Sequence, residues 1–564
     1  MDLTACAPPV RMPCGSCARN RNANDREWLN AGAGRKLPDM CDYGEEKRMS
    51  SASNGIRMRR ISLTLRLLAV SSVLTMAVFP ASAESLTLTL QPAGTQRQLH
   101  APIFGASTAA FYEHLLNNPA KIAALKTMFL GLDRFPGGSD ANFYNWRNGL
   151  IEVQAHPDSS SYIQFWAKAA ARIAQGMPNG VTLEQYDSFS RQIGAQVVLV
   201  PNLESASVSD QVEWFKRLAH AGIVPARIEL GNEYWVAMGN DPTSLARWPD
   251  EPSTMRSMKQ YVDALKAYFP PGAKIAVQAA SGAIDIRTGR LGQRLKKWDE
   301  DLRPEPWFDA VTLHIYPRLR DVMGDPEAGA TPPTPQNALP RLKAMLARAD
   351  DGMERILQST ERRLPGKEIW VTEWNARGVN PVVQRGADEP MSPAMEMLAS
   401  TRMALVQLRH PSVTVSLFFS LNFAGRQHAM FVPEGRGGYV PIPTAAALRW
   451  LNEAANAGGS FQRVVQAGAR PMAGQGAQNE SYLPVEGGLF QSGTRATLIL
   501  ENASAETFSL DPAGLMSNRR PSKVEFISMP DLSNTATLPA RINTGNAGSA
   551  IDVAPFSVTR VVWE

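Results

Sequence analysis

The stretch Ile228-Glu229-Leu230-Gly231-Asn232-Glu233-Tyr234-Trp235 sets the reading of the whole chain. Ile228 and Leu230 predict a buried strand. Gly231 lets the backbone leave it, and an amide and an acid, Asn232 and Glu233, then stand side by side at the strand's carboxyl end. A second stretch, Ile369-Trp370-Val371-Thr372-Glu373-Trp374-Asn375, repeats the pattern and places Glu373 at the end of another apolar strand. What the two acids do depends on whether the intervening chain brings them face to face.

Between residues 99 and 457 the chain repeats short apolar strand, loop and amphipathic helix. Eight strands are expected, at 102–106, 129–135, 196–201, 226–231, 274–279, 310–316, 368–373 and 413–420. Helices are expected among them at 119–127, 209–221 and 255–268, and after the eighth strand at 444–455. The second opens on Ser209-Asp210-Gln211 and closes on Gly222, and the last takes Thr444 as its N-cap. Eight such units predict an α/β fold, a (β/α)8 TIM barrel spanning 99–457. An open doubly wound sheet is the rival, but Phe104-Gly105-Ala106-Ser107 after the first strand has no G-x-G-x-x-G pattern.

Beyond Gly458 the texture changes to glycine, serine and short alternating runs. Strands are expected at 496–502, 507–510, 523–528 and 556–563, forming an accessory antiparallel β-sandwich. The isolated stretch 85–91 alternates Thr with Leu86, Leu88 and Leu90 and is the sandwich's missing strand, so that domain comprises 84–98 plus 458–564. There is no internal repeat. The Pro-, Gly- and Ala-rich loops 317–340 and 376–393 follow the sixth and seventh strands and would overhang the barrel's carboxyl face.

Residues 1–83 read as a leader and signal peptide. Arg57, Arg59 and Arg60 precede an apolar stretch interrupted by Arg66, and Ala81-Ser82-Ala83 fits a signal-peptidase site. Translation is expected to start at Met49 or Met58, with cleavage after about Ala83 and a periplasmic or secreted product. The apolar run is too short and interrupted to span a membrane, so no membrane is expected in the mature form. All four cysteines (Cys6, Cys14, Cys17, Cys41) fall in the leader. Cys14-Gly-Ser-Cys17 has no partner pair and is discounted as a metal or redox site. The leader also holds 12 Lys+Arg against 7 Asp+Glu, leaving 46 of each in the remainder. The mature chain thus has no net charge, and no nucleic-acid partner is implied.

In an eight-stranded barrel the fourth and seventh strands face each other across the mouth, so Glu233 and Glu373 point into one cleft. Paired carboxyls about 5–5.5 Å apart are the requirement of a retaining glycosidase, one serving as acid/base and one as nucleophile. Arg134 at the end of the second strand could hold Glu373 ionised. His314 and Tyr316, ending the sixth, could orient the same carboxylate or the sugar. Trp146, Tyr144, Tyr234, Trp235 and Trp374 offer flat faces for sugar rings, and Asn232 could bond a hydroxyl beside the reacting carbon. Glu204 ranks below the pair as a further cleft acid. The seven histidines never fall at metal-ligand spacing, so neither a metal nor another cofactor is expected. No Gly-x-Ser-x-Gly elbow supports a serine hydrolase.

Glu-Leu-Gly-Asn-Glu at 229–233 and Thr-Glu-Trp-Asn at 372–375 resemble the retaining glycoside hydrolases of clan A. Arg134-Phe135-Pro136-Gly137-Gly138, running on to Asn142-Phe143-Tyr144-Asn145-Trp146, is similar to secreted α-L-arabinofuranosidases. Gly-Asn-Glu and the split sandwich are also similar to heparanase-like β-glucuronidases. The resemblance spans nearly all of 85–564. It implies Glu233 as acid/base, Glu373 as nucleophile, Asn232 as the 2-hydroxyl contact and Arg134 as support. The eighth strand departs from it, reading Leu417-Phe418-Phe419-Ser420 where many clan members place Trp. The expected activity is hydrolysis of plant or microbial polysaccharides and oligosaccharides, arabinofuranosidase-like first, β-glucuronidase- or β-xylosidase-like second. A non-catalytic carbohydrate-binding protein is the competing class, which retention of both glutamates disfavours.

Overall fold

The computed structural model describes residues 85–108, 110–234, 241–280, 297–376, 391–423, 429–435, 437–516 and 519–564. The leader and signal sequence expected at 1–83, Trp235, and most of the loop 376–393 lie outside the described residues. Among the described residues no helix is long and apolar enough to cross a membrane.

Eight parallel strands close into a barrel in chain order. They are β1 (Phe104–Ser107), β2 (Leu132–Phe135), β3 (Gln196–Leu199), β4 (Arg227–Glu229), β5 (Lys274–Gln278), β6 (Ala310–Ile315), β7 (Glu368–Trp374) and β8 (Val413–Phe419). The fold class read from the sequence is the one observed. Alternation along these strands sorts the interior into two layers. Leu132, Val198, Ala276, Ala310, Trp370, Val415 and Leu417 form one fully buried apolar cluster. Two residues further along, on the same faces, come Arg134 and Thr372, and His314 follows Ala310 by four. The apolar layer is therefore the floor beneath a polar mouth.

Several element ends differ from expectation for local reasons. Ser207, not Ser209, caps the helix Val208–Ala221 by accepting Asp210 N–H at 3.1 Å, while Gly222 closes it with φ 70°. Thr444 lies inside the helix Pro443–Asn456, whose N-cap is Ile442, because Pro443 occupies the first turn, where no amide is needed. The segment 317–340 is not a plain loop. It folds into the helix Leu319–Met323 and a short turn, anchored by buried Leu319 and Val322.

The second layer is a seven-stranded antiparallel sheet. Leu90–Leu99 forms one edge, followed by β9 (Gly459–Gln466), β10 (Val485–Ser492), β11 (Arg495–Asn502), Ser557–Trp563, Lys523–Ser528 and Asn543–Thr544. A three-stranded sheet of Leu86–Leu88, Phe508–Leu510 and Ile551–Val553 covers one face. Leu88, Leu90, Val464, Leu498, Phe508 and Trp563 are buried in the core between the two sheets. On the other face Phe461, Phe490 and Ile499 join the barrel's core. The helix Pro393–Arg409 lies at this junction and is buried nearly all round, as a helix between two layers must be. Arg97, from the N-terminal edge strand, donates to the carbonyls of Leu408 at 3.2 Å and His410 at 2.8 Å, capping that helix's C-terminal end.

Candidate active site

The turn after β4 is built around two positive-φ residues. Gly231 has φ 72°, and a Cβ there would lie 1.8 Å from the Tyr234 hydroxyl. Glu233 has φ 51°, a left-handed conformation that costs a residue with a side chain roughly 1–3 kcal/mol. Two buried amides hold it. Asn142 Nδ2 donates to Asn232 O at 3.0 Å. Gln278 accepts Tyr234 N–H at 2.9 Å and donates to Gly231 O at 3.1 Å. The result fixes Glu233 at the mouth of the barrel.

Across the mouth, the register of β7 against β6 slips between Leu313↔Val371 and His314↔Glu373, leaving Thr372 as an extra residue. Such a bulge re-aims the side chains that follow it. Thr372 points inward, its Oγ1 donating to Glu229 Oε1 at 3.0 Å, and Glu373 enters the same cleft. Arg134 Nη1 donates to Glu373 Oε1 at 2.6 Å, and the Tyr316 hydroxyl to Oε2 at 2.6 Å. Gly138 passes so close that a Cβ on it would sit 2.6 Å from Glu373 Oε1.

Arg134 is aimed in turn by Glu229, a buried acid on the inward face of β4. Its Nε and Nη2 donate to the two Glu229 oxygens, each at 2.8 Å, and Nη2 also donates to Asn232 Oδ1 at 3.0 Å. Burial opposes the Glu229 carboxylate, but Arg134 and His314 outweigh it and hold its pKa below the usual range. Burial likewise opposes the His314 imidazolium. The charges of Glu373, Glu229 and Glu233 overcome this and hold His314 up to about 10. His314 Nδ1 lies 2.9 Å from Glu233 Oε1 and 3.6 Å from Glu373 Oε2. One ligand atom each of Glu233, His314 and Glu373 falls within 4.8 Å of the others. Among the described residues these three are the ones that could hold a metal. However, an imidazolium bonded through Nδ1 to Glu233 and Nε2 to Thr372 offers no lone pair to a cation.

Of the residues singled out in the sequence, Glu233, Glu373, Asn232, Arg134, His314 and Tyr316 come together here. The aromatic platforms Trp146, Tyr144, Tyr234 and Trp374 do not. Trp146 is buried against Trp214, stacked at 6.4 Å, and donates from Nε1 to Asp210 at 3.1 Å. Tyr144 is buried with its hydroxyl on Val181 O, and Tyr234 is packed on Trp248 at 4.8 Å. Trp374 is 1% exposed with its ring edge-on to Phe418. These rings fill the core and present no face to a ligand. Glu204 is taken by Trp248 Nε1. Glu229 was missed as a member of the site. Its signal is an acid enclosed by Ile228 and Leu230 in a strand, which only an interior cation can satisfy.

The architecture is shared with solved structures of glycoside hydrolases. A family 51 arabinofuranosidase from Xanthomonas axonopodis pv. citri matches with a TM-score of 0.58 at 15% identity, over 84% of this chain and 98% of that one. A family 51 α-L-arabinofuranosidase from Bifidobacterium longum gives 0.59 at 14%, over 85% and 98%. A family 44 xyloglucanase from Paenibacillus polymyxa gives 0.54 at 12%, over 85% and 99%. At such identities the likeness is one of fold. No protein-family model matches the chain, and no curated protein does either.

Proposed function

We propose that the protein is an exported retaining glycoside hydrolase acting on neutral plant or microbial glycans, with arabinofuranosides as its first substrate class. The observation that carries this reading is the pair of glutamates at the ends of β4 and β7, with carboxylate oxygens within 4.8 Å of each other. That spacing suits double displacement, where no water need fit between the acids in the first step. Glu373 is the nucleophile: Arg134 and Tyr316 both donate to it and so aim it. Its oxygen attacks the anomeric carbon as the glycosidic C–O bond breaks, and the proton on Glu233 goes to the leaving oxygen. The 2.9 Å contact with His314 Nδ1 lets that proton be shared between imidazole and carboxyl before transfer. Water then attacks the glycosyl ester, gives its proton to Glu233 and frees Glu373. The arabinofuranosyl preference is supported by the Arg-Phe-Pro-Gly-Gly stretch and by the fold shared with two arabinofuranosidases.

The test uses aryl glycosides. E373A should lose every substrate, however good its leaving group. E233A should form the intermediate from an activated aryl substrate and then stall, since general acid–base catalysis contributes roughly 10²–10⁴-fold. Azide should restore its turnover and give a glycosyl azide of retained configuration. Azide rescue of E373A with retained product, and of E233A with inverted product, would swap the two roles. Unchanged activity in both variants would place the chemistry elsewhere.

A further inference from the structure

Asp140 takes no part in the steps assigned to Glu233 and Glu373, yet it borders the same cleft. It lies in the turn Ser139–Phe143, directly after Gly137-Gly138, and is 7% exposed. Its Oδ1 accepts the Tyr112 hydroxyl at 2.9 Å. Its Oδ2 faces Gly137, where a Cβ would come 3.5 Å from that oxygen and 3.9 Å from Ser107 Oγ. Gly137 has φ 127°, a conformation that residues with side chains rarely adopt, so this space is kept open by the backbone. One residue on, the Cβ missing from Gly138 would touch Glu373 Oε1. The two glycines thus leave a niche edged by Ser107, Asp140 and the Glu373 carboxylate.

A nearly buried carboxyl with one oxygen turned into an open niche requires a partner there. We propose that Asp140 Oδ2 and Ser107 Oγ bind the hydroxyl edge of a sugar seated on Glu373, which makes Asp140 a specificity-determining residue. The inference deepens the hydrolase reading and rests on it for the choice of sugars. Two side-chain oxygens, one at the end of β1 and one in the turn that follows β2, match two neighbouring hydroxyls, and an anionic group at that edge would meet Asp140 and Glu373 together. The ligand is therefore neutral where it enters the niche. Burial, then the charge of Glu373, pushes the Asp140 carboxyl up to about 7, against the opposing effects of Tyr112 and Arg134. Near neutrality it can both accept from a hydroxyl and donate to one.

The experiment compares wild type, D140A, D140N and S107A on 4-nitrophenyl glycosides of arabinofuranose, xylose and glucuronic acid. Sugars that are turned over are tested again with single hydroxyls removed. For one deoxy sugar the wild type should lose roughly 10–100-fold in kcat/KM, and D140A should lose little more on it than on the parent. Equal losses in D140A across the parent and every deoxy sugar would overturn the inference while leaving the hydrolase reading intact. If wild type turns over none of the glycosides, calorimetry with the free sugars decides. Weaker sugar binding by D140A then supports the niche although the hydrolase reading has failed, whereas equal binding, or none by either protein, rejects it. D140N keeps the acceptor for Tyr112. It should melt like wild type and still lose the coupling, so a D140A that fails to fold leaves the test in force.

Discussion

At Gly138 the missing side chain is what leaves Glu373 its position. A Cβ there would lie 2.6 Å from Oε1 and 3.6 Å from Arg134 Nη1. G138A should displace the carboxylate and cost about 100-fold or more in kcat, with a melting temperature that shows the fold intact. Wild-type kcat in a folded G138A would mean that Glu373 is not positioned by this contact. His314 makes a second prediction, on pH. Its folded pKa of about 10 stands above the unfolded value of ~6.5. The stabilisation from its proton is therefore complete below pH ~6.5 and lost as pH rises towards 10. Melting temperatures of wild type and H314Q, measured across that window, should converge as pH rises. Parallel curves would show that His314 is not held as a cation.

At the scale of elements, the eight barrel strands were legible because each is a short apolar run bounded by turn residues. Their ends were less so. β2 begins at Leu132 rather than 129, since Phe129 adopts φ 51° and leaves the strand direction. β9 and β10 went unread for a different reason. β10 reads Val-Glu-Gly-Gly-Leu-Phe-Gln-Ser, in which a charge and two glycines mimic a turn. The structure supplies what local pattern cannot. Glu486 pairs with Arg409 and Arg463, while Gly487 lies so close to Ile499 O that a Cβ would come within 2.4 Å. The candidate site divides in the same way. Acids at strand ends announced themselves through spacing, but the aromatic residues beside them did not. Whether a Trp faces a ligand or the core depends on tertiary packing, and here Trp146 and Trp374 face the core.

At the scale of the whole molecule, barrel and sandwich share a buried ionic cluster. Arg402, with a fully buried side chain, reaches Asp350 at 2.6 Å, Glu501 at 3.0 Å and Glu486 at 3.8 Å. Arg409 joins it through Asp350 at 2.8 Å. Even so, burial pushes Glu501 up to about 7, so the cluster has no carboxylate stabilisation to spare. R402M should leave buried acids without their cation and cost about 3–5 kcal/mol, read from urea denaturation, and R402M/E501Q should recover part of the loss. No member of the cluster touches Glu233 or Glu373, so kcat of the folded variant should match wild type. An R402M as stable as wild type would show the cluster to be no more than a neutral replacement for apolar packing.

The edge strand Leu90–Leu99 pairs with Gly459–Gln466, roughly 360 residues further on, and this fixes an order of events during synthesis. At about 5–20 residues per second, a ribosome needs roughly 20–70 s to deliver the partner after the first strand has emerged. Throughout that interval the strand carries an open row of amides and carbonyls, with Leu90 and Leu99 exposed and nothing of its own sheet to join. The barrel can assemble in the meantime because its eight strands pair in chain order. The sandwich cannot begin until the residues of the barrel have been made. A chain whose barrel closed as it was delivered would hold a finished cleft beside an unpaired, aggregation-prone N-terminal strand. The seam between Arg97 and the end of the helix Pro393–Arg409 is the first point at which that strand can be fastened down.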